Sequence, residues 1–574
     1  MIPFSFNGLA ARLHRPDAAK ASGVGVVIVP PHGLEALAAA KTLRLLAERL
    51  AAGGHASLRY DLPGTGDSLG SDADPDRIQA WLASITAAAA QLRAHAGVTQ
   101  IVLLGLRFGA LLAAAAAGTL DEIGALVLLD PVTQGGLYAR ELAMTARAVA
   151  EGASLDPEQT STADGVVIGG LLTSRATLAA MRPLRLSTAP LPPATLLLHR
   201  SGARDLPATV TAEPADGFER IGLSPTMAET PHPVLDRVAD FLATLPAGPL
   251  QPMQPPAPAR LATDRFVEQQ LRFGPDDRLY GVLCEQAPSG AAAPVVIILN
   301  AGRNPHTGWA RSHVTLARRL ATMGVASLRL DLSGIGEGLD RPGVADHVDE
   351  LLYADSHDAE CRAAVDLVIA RGFGPVTVLG ACSGAYLALR SVAHDARVSG
   401  AVMVNLQRFI WRAGESVSFA IANSYPVGSS YMGKLIDPAV WKRVLTGQRR
   451  VWPLLRALAR RVTRRVMPDE VASAETTKAR ALMQAITTRG ARTDFIYAET
   501  DAGLVELAHH FGPRGRDLAE APGVHFHFLP DCDHDLTPVP AREQLFAILQ
   551  VAVAPHPAPT VPQLPRAASE LAKT

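Results

Sequence analysis

Val376-Thr377-Val378-Leu379-Gly380-Ala381-Cys382-Ser383-Gly384 is an apolar strand that runs into Gly-x-x-x-Gly and then into an apolar helix. The glycines are needed because such a strand-to-helix turn leaves no room for side chains beside its central residue. The turn therefore presses that central residue, here Cys382, out over the edge of a sheet as a nucleophile elbow. Working outward, the same pattern occurs earlier as Val102-Leu103-Leu104-Gly105-Leu106-Arg107-Phe108-Gly109, with arginine at the centre. A cysteine in that place can attack a carbonyl carbon, whereas an arginine cannot.

The likeness extends on both sides of the elbows. Val26-Val27-Ile28-Val29 matches Val295-Val296-Ile297-Ile298, and each leads to a loop with Gly33 or Gly302. Ala56-Ser57-Leu58-Arg59-Tyr60-Asp61-Leu62-Pro63-Gly64-Thr65-Gly66-Asp67 is echoed by Ala326-Ser327-Leu328-Arg329-Leu330-Asp331-Leu332-Ser333-Gly334-Ile335-Gly336-Glu337. A repeat about half the chain long indicates a duplicated domain, not a solenoid. The Gly-x-Gly of these loops is not a dinucleotide fingerprint, because the third glycine is absent and the pair follows the wrong strand.

Length and composition agree. At 574 residues the chain exceeds one core and suits two. Short apolar strands alternating with helices predict mainly parallel sheets covered by helices on both faces. The expected division is a first α/β domain at 1–245, a linker at 246–259 with six prolines, a second domain at 260–553, and a proline-rich flexible tail at 554–574. Within the second domain, residues 265–284 read as a hairpin turning at Gly274-Pro275-Asp276-Asp277, and only residues 4–14 stand in its place in the first. A net charge of -1 with 19% charged residues gives no reason to expect nucleic acid. Four cysteines, at 284, 361, 382 and 532, form no metal-ligand spacing. Together with an N-terminus that lacks a signal-peptide pattern, they predict a cytoplasmic protein with reduced thiols and neither metal nor cofactor.

These motifs in this order resemble two tandem α/β-hydrolase domains. The loop residues Gly302, Gly308 and Arg311 and the Gly-Leu-Arg-x-Gly elbow are similar to bacterial hydrolases associated with exosortase or exopolysaccharide systems. The resemblance implies the chain order nucleophile, acid, histidine. After Cys382, the strand at 494–498 ends in Glu499-Thr500-Asp501, and the strand at 524–529 ends in Pro530-Asp531-Cys532-Asp533-His534. The expected catalytic set is Cys382, His534 and Asp501, with Glu499 the rival acid and Ser383 an off-centre rival nucleophile. Backbone amides of Ser383 and of Ala301 or Gly302 would form the oxyanion hole.

The first domain keeps Asp205 and His232 in matching places, but Arg107 offers them nothing to activate. It is expected to be an inactive scaffold, or else Arg107 holds an anion. In the second domain residues 406–490 are surplus to the fold and predict a helical cap. Residues 442–466 of that cap carry nine Lys or Arg and no acid. They read as a solvated face, or as a contact for a carrier-linked acyl group, a carrier protein or a membrane surface. Phe409, Trp411, Trp441 and Trp452 would line the cavity beneath. The activity expected is hydrolysis of an ester or thioester through an acyl-cysteine. The alternatives are an acyltransferase acting on a small-molecule or carrier-linked acyl donor, and a non-catalytic scaffold.

Overall fold

A computed structural model describes residues 1–411, 417 and 469–554, apart from 119, 121–122, 154, 157–159, 161, 190, 201–209, 222–223, 289–292 and 345–347. The chain forms two large sheets. The first contains β1 (Ile2–Phe6), β2 (Leu9–His14), β3 (Val24–Val29), β4 (Ala56–Tyr60), β5 (Gln100–Leu106) and β6 (Ile123–Leu129). A separate antiparallel hairpin, β7 (Gly165–Ile168) and β8 (Leu171–Ser174), precedes β9 (Thr195–His199) and β10 (Ala212–Pro214). The order across this sheet is β1-β2-β4-β3-β5-β6-β9-β10, parallel from β4 onward.

The second sheet contains β11 (Arg260–Ala262), β12 (Phe266–Phe273), β13 (Leu279–Gln286), β14 (Val295–Ile298), β15 (Ala326–Asp331), β16 (Val376–Ala381), β17 (Val398–Val404), β18 (Arg492–Ala498) and β19 (Val524–Leu529). Its order is β11-β12-β13-β15-β14-β16-β17-β18-β19, parallel from β15 to β19. The central strands are apolar throughout because both of their faces are covered. Val27 and Val29 of β3 enter one core cluster while Val26 and Ile28 enter the one on the opposite face. Val295 and Ile297 of β14 divide from Val296 and Ile298 in the same way. This is the two-residue period of a strand, with each large apolar side chain contributing about 1.5–3 kcal/mol on burial.

One expectation is corrected at the N-terminus. Residues 4–14 are not a replacement for a hairpin but part of one: β1 pairs antiparallel with β2 across Asn7-Gly8, with φ of 47° and 77°. Asn-Gly is the pair that tolerates two successive positive φ values in a tight hairpin turn. The proline-rich segment at 246–259 lies along the first half, where the amides of Gly248, Gln251 and Gln254 donate to the carbonyls of Ser22, Gly97 and Ala94. Among the described residues no helix is long and apolar enough to cross a membrane. The basic stretch 442–466, Trp441, Trp452, Asp205 and residues 555–574 lie outside the described residues.

The two halves meet through buried charge, and the contacts are reciprocal. Arg59 of the first half makes a bidentate pair with Glu337 of the second, at 2.7 and 2.6 Å. Arg329, at the place in the second repeat that Arg59 holds in the first, pairs with Asp67 at 2.8 Å, and Asp67 is the counterpart of Glu337. Likewise Lys41 donates to the Gly334 carbonyl at 3.0 Å while its counterpart Arg311 donates to the Gly64 and Gly66 carbonyls at 3.3 and 2.7 Å. Each side lends the same residues to the other, which is the arrangement of a two-fold isologous interface written within one chain.

His306 breaks that symmetry. Its Nδ1 lies 2.7 Å from Asp331 Oδ2 and its Nε2 lies 2.7 Å from Asp67 Oδ2, with all three side chains buried. Burial alone would lower the imidazole pKa, but the charges of Asp67 and Asp331 outweigh it and raise it to about 10. Burial would likewise raise Asp67, yet His306 and Arg329 hold its carboxyl well below the usual range. Each half has its own apolar core, and this ionic seam lies between them.

Candidate active site

The two elbows have the same backbone. Cys382 has φ 55° and ψ -118°, and Arg107 has φ 53° and ψ -118°, each leading into its helix, Ser383–His394 and Phe108–Ala117. A non-glycine residue held at positive φ costs on the order of 1–3 kcal/mol and persists only where its surroundings enforce it. Here the enforcement is steric. A Cβ on Gly380 would lie 2.0 Å from the Gly384 carbonyl oxygen, and one on Gly384 would lie 2.4 Å from that of Asn300. Gly105 and Gly109 are as tightly enclosed. Gly384→Ala is accordingly expected to lower stability by about 2–4 kcal/mol and to displace Cys382, checked by thermal melting beside a thiol-alkylation rate.

Cys382, His534 and Asp501 converge from three loops at the C-terminal edge of the second sheet. His534 Nδ1 lies 2.6 Å from Asp501 Oδ2, and the imidazole lines the same cavity as Cys382. Burial would lower the His534 pKa, but Cys382 and then Asp501 raise it well above the ordinary value. Asp501 is buried, and its Oδ1 accepts from Gln407 Nε2 at 2.6 Å and from the Gly503 amide at 2.7 Å. Glu499, the rival acid, is half exposed and lies 3.7 Å from Arg514. Ser383, the rival nucleophile, is buried, and its Oγ accepts from the Gly302 amide at 2.9 Å. That bond occupies one of the three amides named for the oxyanion hole and fastens the β14 loop to the elbow. Burial also pushes the Cys361 and Cys532 thiols up to about 12, which makes them poor nucleophiles.

Two residues that sequence reasoning passed over hold the set in place. Asn405 donates from Nδ2 to the His534 carbonyl at 2.7 Å and accepts at Oδ1 from the Ala498 amide at 2.8 Å. Gln407 fixes Asp501 as described. Their signal is visible in retrospect: Asn405 and Gln407 are polar residues directly after the apolar β17, at the end of the sheet where the nucleophile sits. Phe409 is core, packed against Phe495 and Phe511, while Trp411 stacks on Tyr353 with ring centroids 4.1 Å apart.

The expected anion site at Arg107 is corrected. Its Nε lies 2.7 Å from Glu35, its Nη2 2.5 Å from Glu141 and its Nη1 3.7 Å from Asp130. Asp130 is also paired with Arg200, so three carboxylates face two guanidinium groups and Arg107 is already matched by Glu35 and Glu141 before any anion arrives. His232 is exposed at the start of the helix His232–Ala243.

Cys382, His534 and Asp501 open into a cavity of about 1910 Å³ whose lining comes from both halves, with Val149, Leu172 and Thr173 from the first and Trp309, Gln407 and Arg542 from the second. The hairpin β7–β8 reaches across: a Cβ on Gly169 would lie 2.9 Å from the Trp309 ring, and one on Gly170 would lie 2.6 Å from Arg542.

Residues 25–157 match a family model described as serine aminopeptidase, S33. The matched stretch contains Arg107 and not Cys382. No curated protein matches the chain. Similar solved structures include a cold-adapted esterase from an Arctic intertidal metagenomic library, with 15% identity over 51% of this chain and 97% of its own at a TM-score of 0.31. An α/β serine hydrolase without a lid from Xanthomonas campestris has 15% identity over 43% and 95% at 0.28, and Est1E from Butyrivibrio proteoclasticus has 19% over 42% and 96% at 0.28. The strand order, the elbows and the family match make this chain an α/β-hydrolase in fold.

Proposed function

We propose that the protein is a cysteine-dependent hydrolase that cleaves an ester or thioester through an acyl-cysteine intermediate. The observation that carries this reading is Cys382 held at a strained elbow, in one cavity with a histidine that is itself 2.6 Å from a buried carboxylate. In the first half-reaction His534 takes the thiol proton, the thiolate sulfur bonds to the carbonyl carbon, and the oxyanion forms against the amides of Ser383 and Ala301. Collapse breaks the bond to the leaving group, which takes the proton from His534. In the second half-reaction the imidazole accepts a proton from water, the resulting hydroxide attacks the thioester, and the proton passes from His534 to the Cys382 sulfur as the acid is released. Asp501 holds the ring in the tautomer this requires.

Acyl transfer shares the first half-reaction and differs only in the acceptor. The cavity favours keeping it as a second reading, since about 1910 Å³ exceeds the usual pocket for one small ligand. The resemblance to exopolysaccharide-associated hydrolases directs the search to acylated glycans and lipid-linked precursors. Turnover of p-nitrophenyl esters and acyl thioesters, with and without amine or hydroxyl acceptors, separates the two: release without acceptor supports hydrolysis. Asp501→Asn is expected to lower kcat by about 10²- to 10⁴-fold with a smaller change in KM. A variant as active as the wild type would remove Asp501 from the mechanism.

A further inference from the structure

The cavity around Cys382 continues into the first half, where its lining includes Arg77, His32 and Thr173. Arg77 is 4% exposed and lies over the Trp81 ring, 4.7 Å from its centroid. Its Nη1 donates to the Asp72 carbonyl at a long 3.4 Å, its Nε has no partner, and among the described residues no carboxylate lies within ion-pair distance of it. Asp72 and Asp74 are nearby, but their carboxylates accept from the Leu172 amide and from Ser71 respectively. Arg12, Arg59 and Arg329 also leave Nε without a hydrogen-bond partner, but their charge is matched. Each has a carboxylate, and Arg311 has the carbonyls of the 64–70 loop. A buried guanidinium left this incomplete is costly unless something completes it.

The groups beside it are suited to do so with an anion. His32 is buried, with Nε2 2.9 Å from Thr173 Oγ1 and Nδ1 without a partner. Burial and then the Arg77 charge hold the imidazole neutral, bringing its pKa down to about 3. The His32–Thr173 pair has one proton left for a ligand, either His32 Nδ1–H with the hydroxyl donating to Nε2 or the hydroxyl with Nε2–H donating to it, and the guanidinium supplies the charge.

We propose that Arg77, His32 and Thr173 form a subsite for an anionic group on the substrate of Cys382, so that the first half is a specificity domain and not a bare scaffold. This rests on the acyl chemistry proposed for Cys382. The anion is a carboxylate ending the acyl chain or a phosphate on the leaving group.

Two matched pairs distinguish these sources: p-nitrophenyl butyrate against mono-p-nitrophenyl glutarate, and the acetyl thioester of N-acetylcysteamine against acetyl-CoA. In the wild type the anionic member of one pair is expected to have a kcat/KM larger by roughly tenfold to a hundredfold, and the pair that shows it identifies the source. In Arg77→Met that ratio falls toward one, and in Thr173→Val it falls part of the way. No preference in either pair, or a loss in Arg77→Met that is equal for both members, overturns the subsite. Should no ester or thioester turn over, the acyl reading fails separately. Calorimetric titration of the full-length protein with glutarate and with inorganic phosphate then decides: binding that Arg77→Met abolishes supports the subsite, and no such binding rejects it.

Discussion

Cys382→Ala is expected to lower kcat/KM on an activated ester or thioester by at least about 10³-fold while leaving the melting temperature close to that of the wild type. The size follows from what is lost: the bond-forming atom, and with it the division of one hard step into two easier ones. Stability should change little because the elbow is enforced by Gly380 and Gly384 closing on backbone oxygens, not by the thiol. Alanine, like cysteine, carries a Cβ and should meet the same backbone strain at φ 55°. Cys382→Ser tests the chemistry more finely. A hydroxyl is far less acidic than a thiol, so its attack depends on proton removal during the step, and slower acylation than the wild type is expected. Undiminished turnover in Cys382→Ala would place the reaction elsewhere in the cavity.

The largest expected loss of stability belongs to His306. Removing the imidazole in His306→Ala leaves Asp67 and Asp331 facing each other without the cation between them, and breaking a buried pair in this way costs about 3–5 kcal/mol. Denaturant unfolding should show the loss as a lower midpoint, with the two halves separating before either core melts. The pH dependence has a definite sign. The folded-state pKa of about 10 lies above the unfolded value of 6.5, so the folded state binds the proton more tightly. The contribution is complete below pH 6.5 and drains away as pH rises toward 10. The wild type should therefore lose stability across that window faster than His306→Ala does. Equal slopes in the two proteins would mean that the imidazole is not charged in the interface.

Much of the fold is legible in the sequence because its signals are local. The elbows, the apolar runs and the paired Asp-x-x-Gly-x-Gly loops each lie within about a dozen residues, and β3, β5, β14 and β16 form where those runs lie. Chain order singles out His534 and Asp501 once Cys382 is placed, and the structure brings these two within 2.6 Å of each other. The seam between the halves is not. Arg59 and Glu337, Arg329 and Asp67, and His306 and Asp67 are hundreds of residues apart, and no periodicity marks a residue that will meet its partner only after both halves have folded. The same holds for Arg107, whose partners Glu35, Glu141 and Asp130 come from three other segments. Asn7-Gly8 is a different case, since its hairpin signal is local and plain.

Intact-mass analysis of the full-length protein incubated with an acyl thioester or p-nitrophenyl ester, stopped during turnover, tests the central claim most directly. The account predicts a mass increase equal to one acyl group, located on the peptide that contains Cys382 and absent from Cys382→Ala. Turnover that proceeds with no adduct, or an adduct that persists in Cys382→Ala, would contradict it.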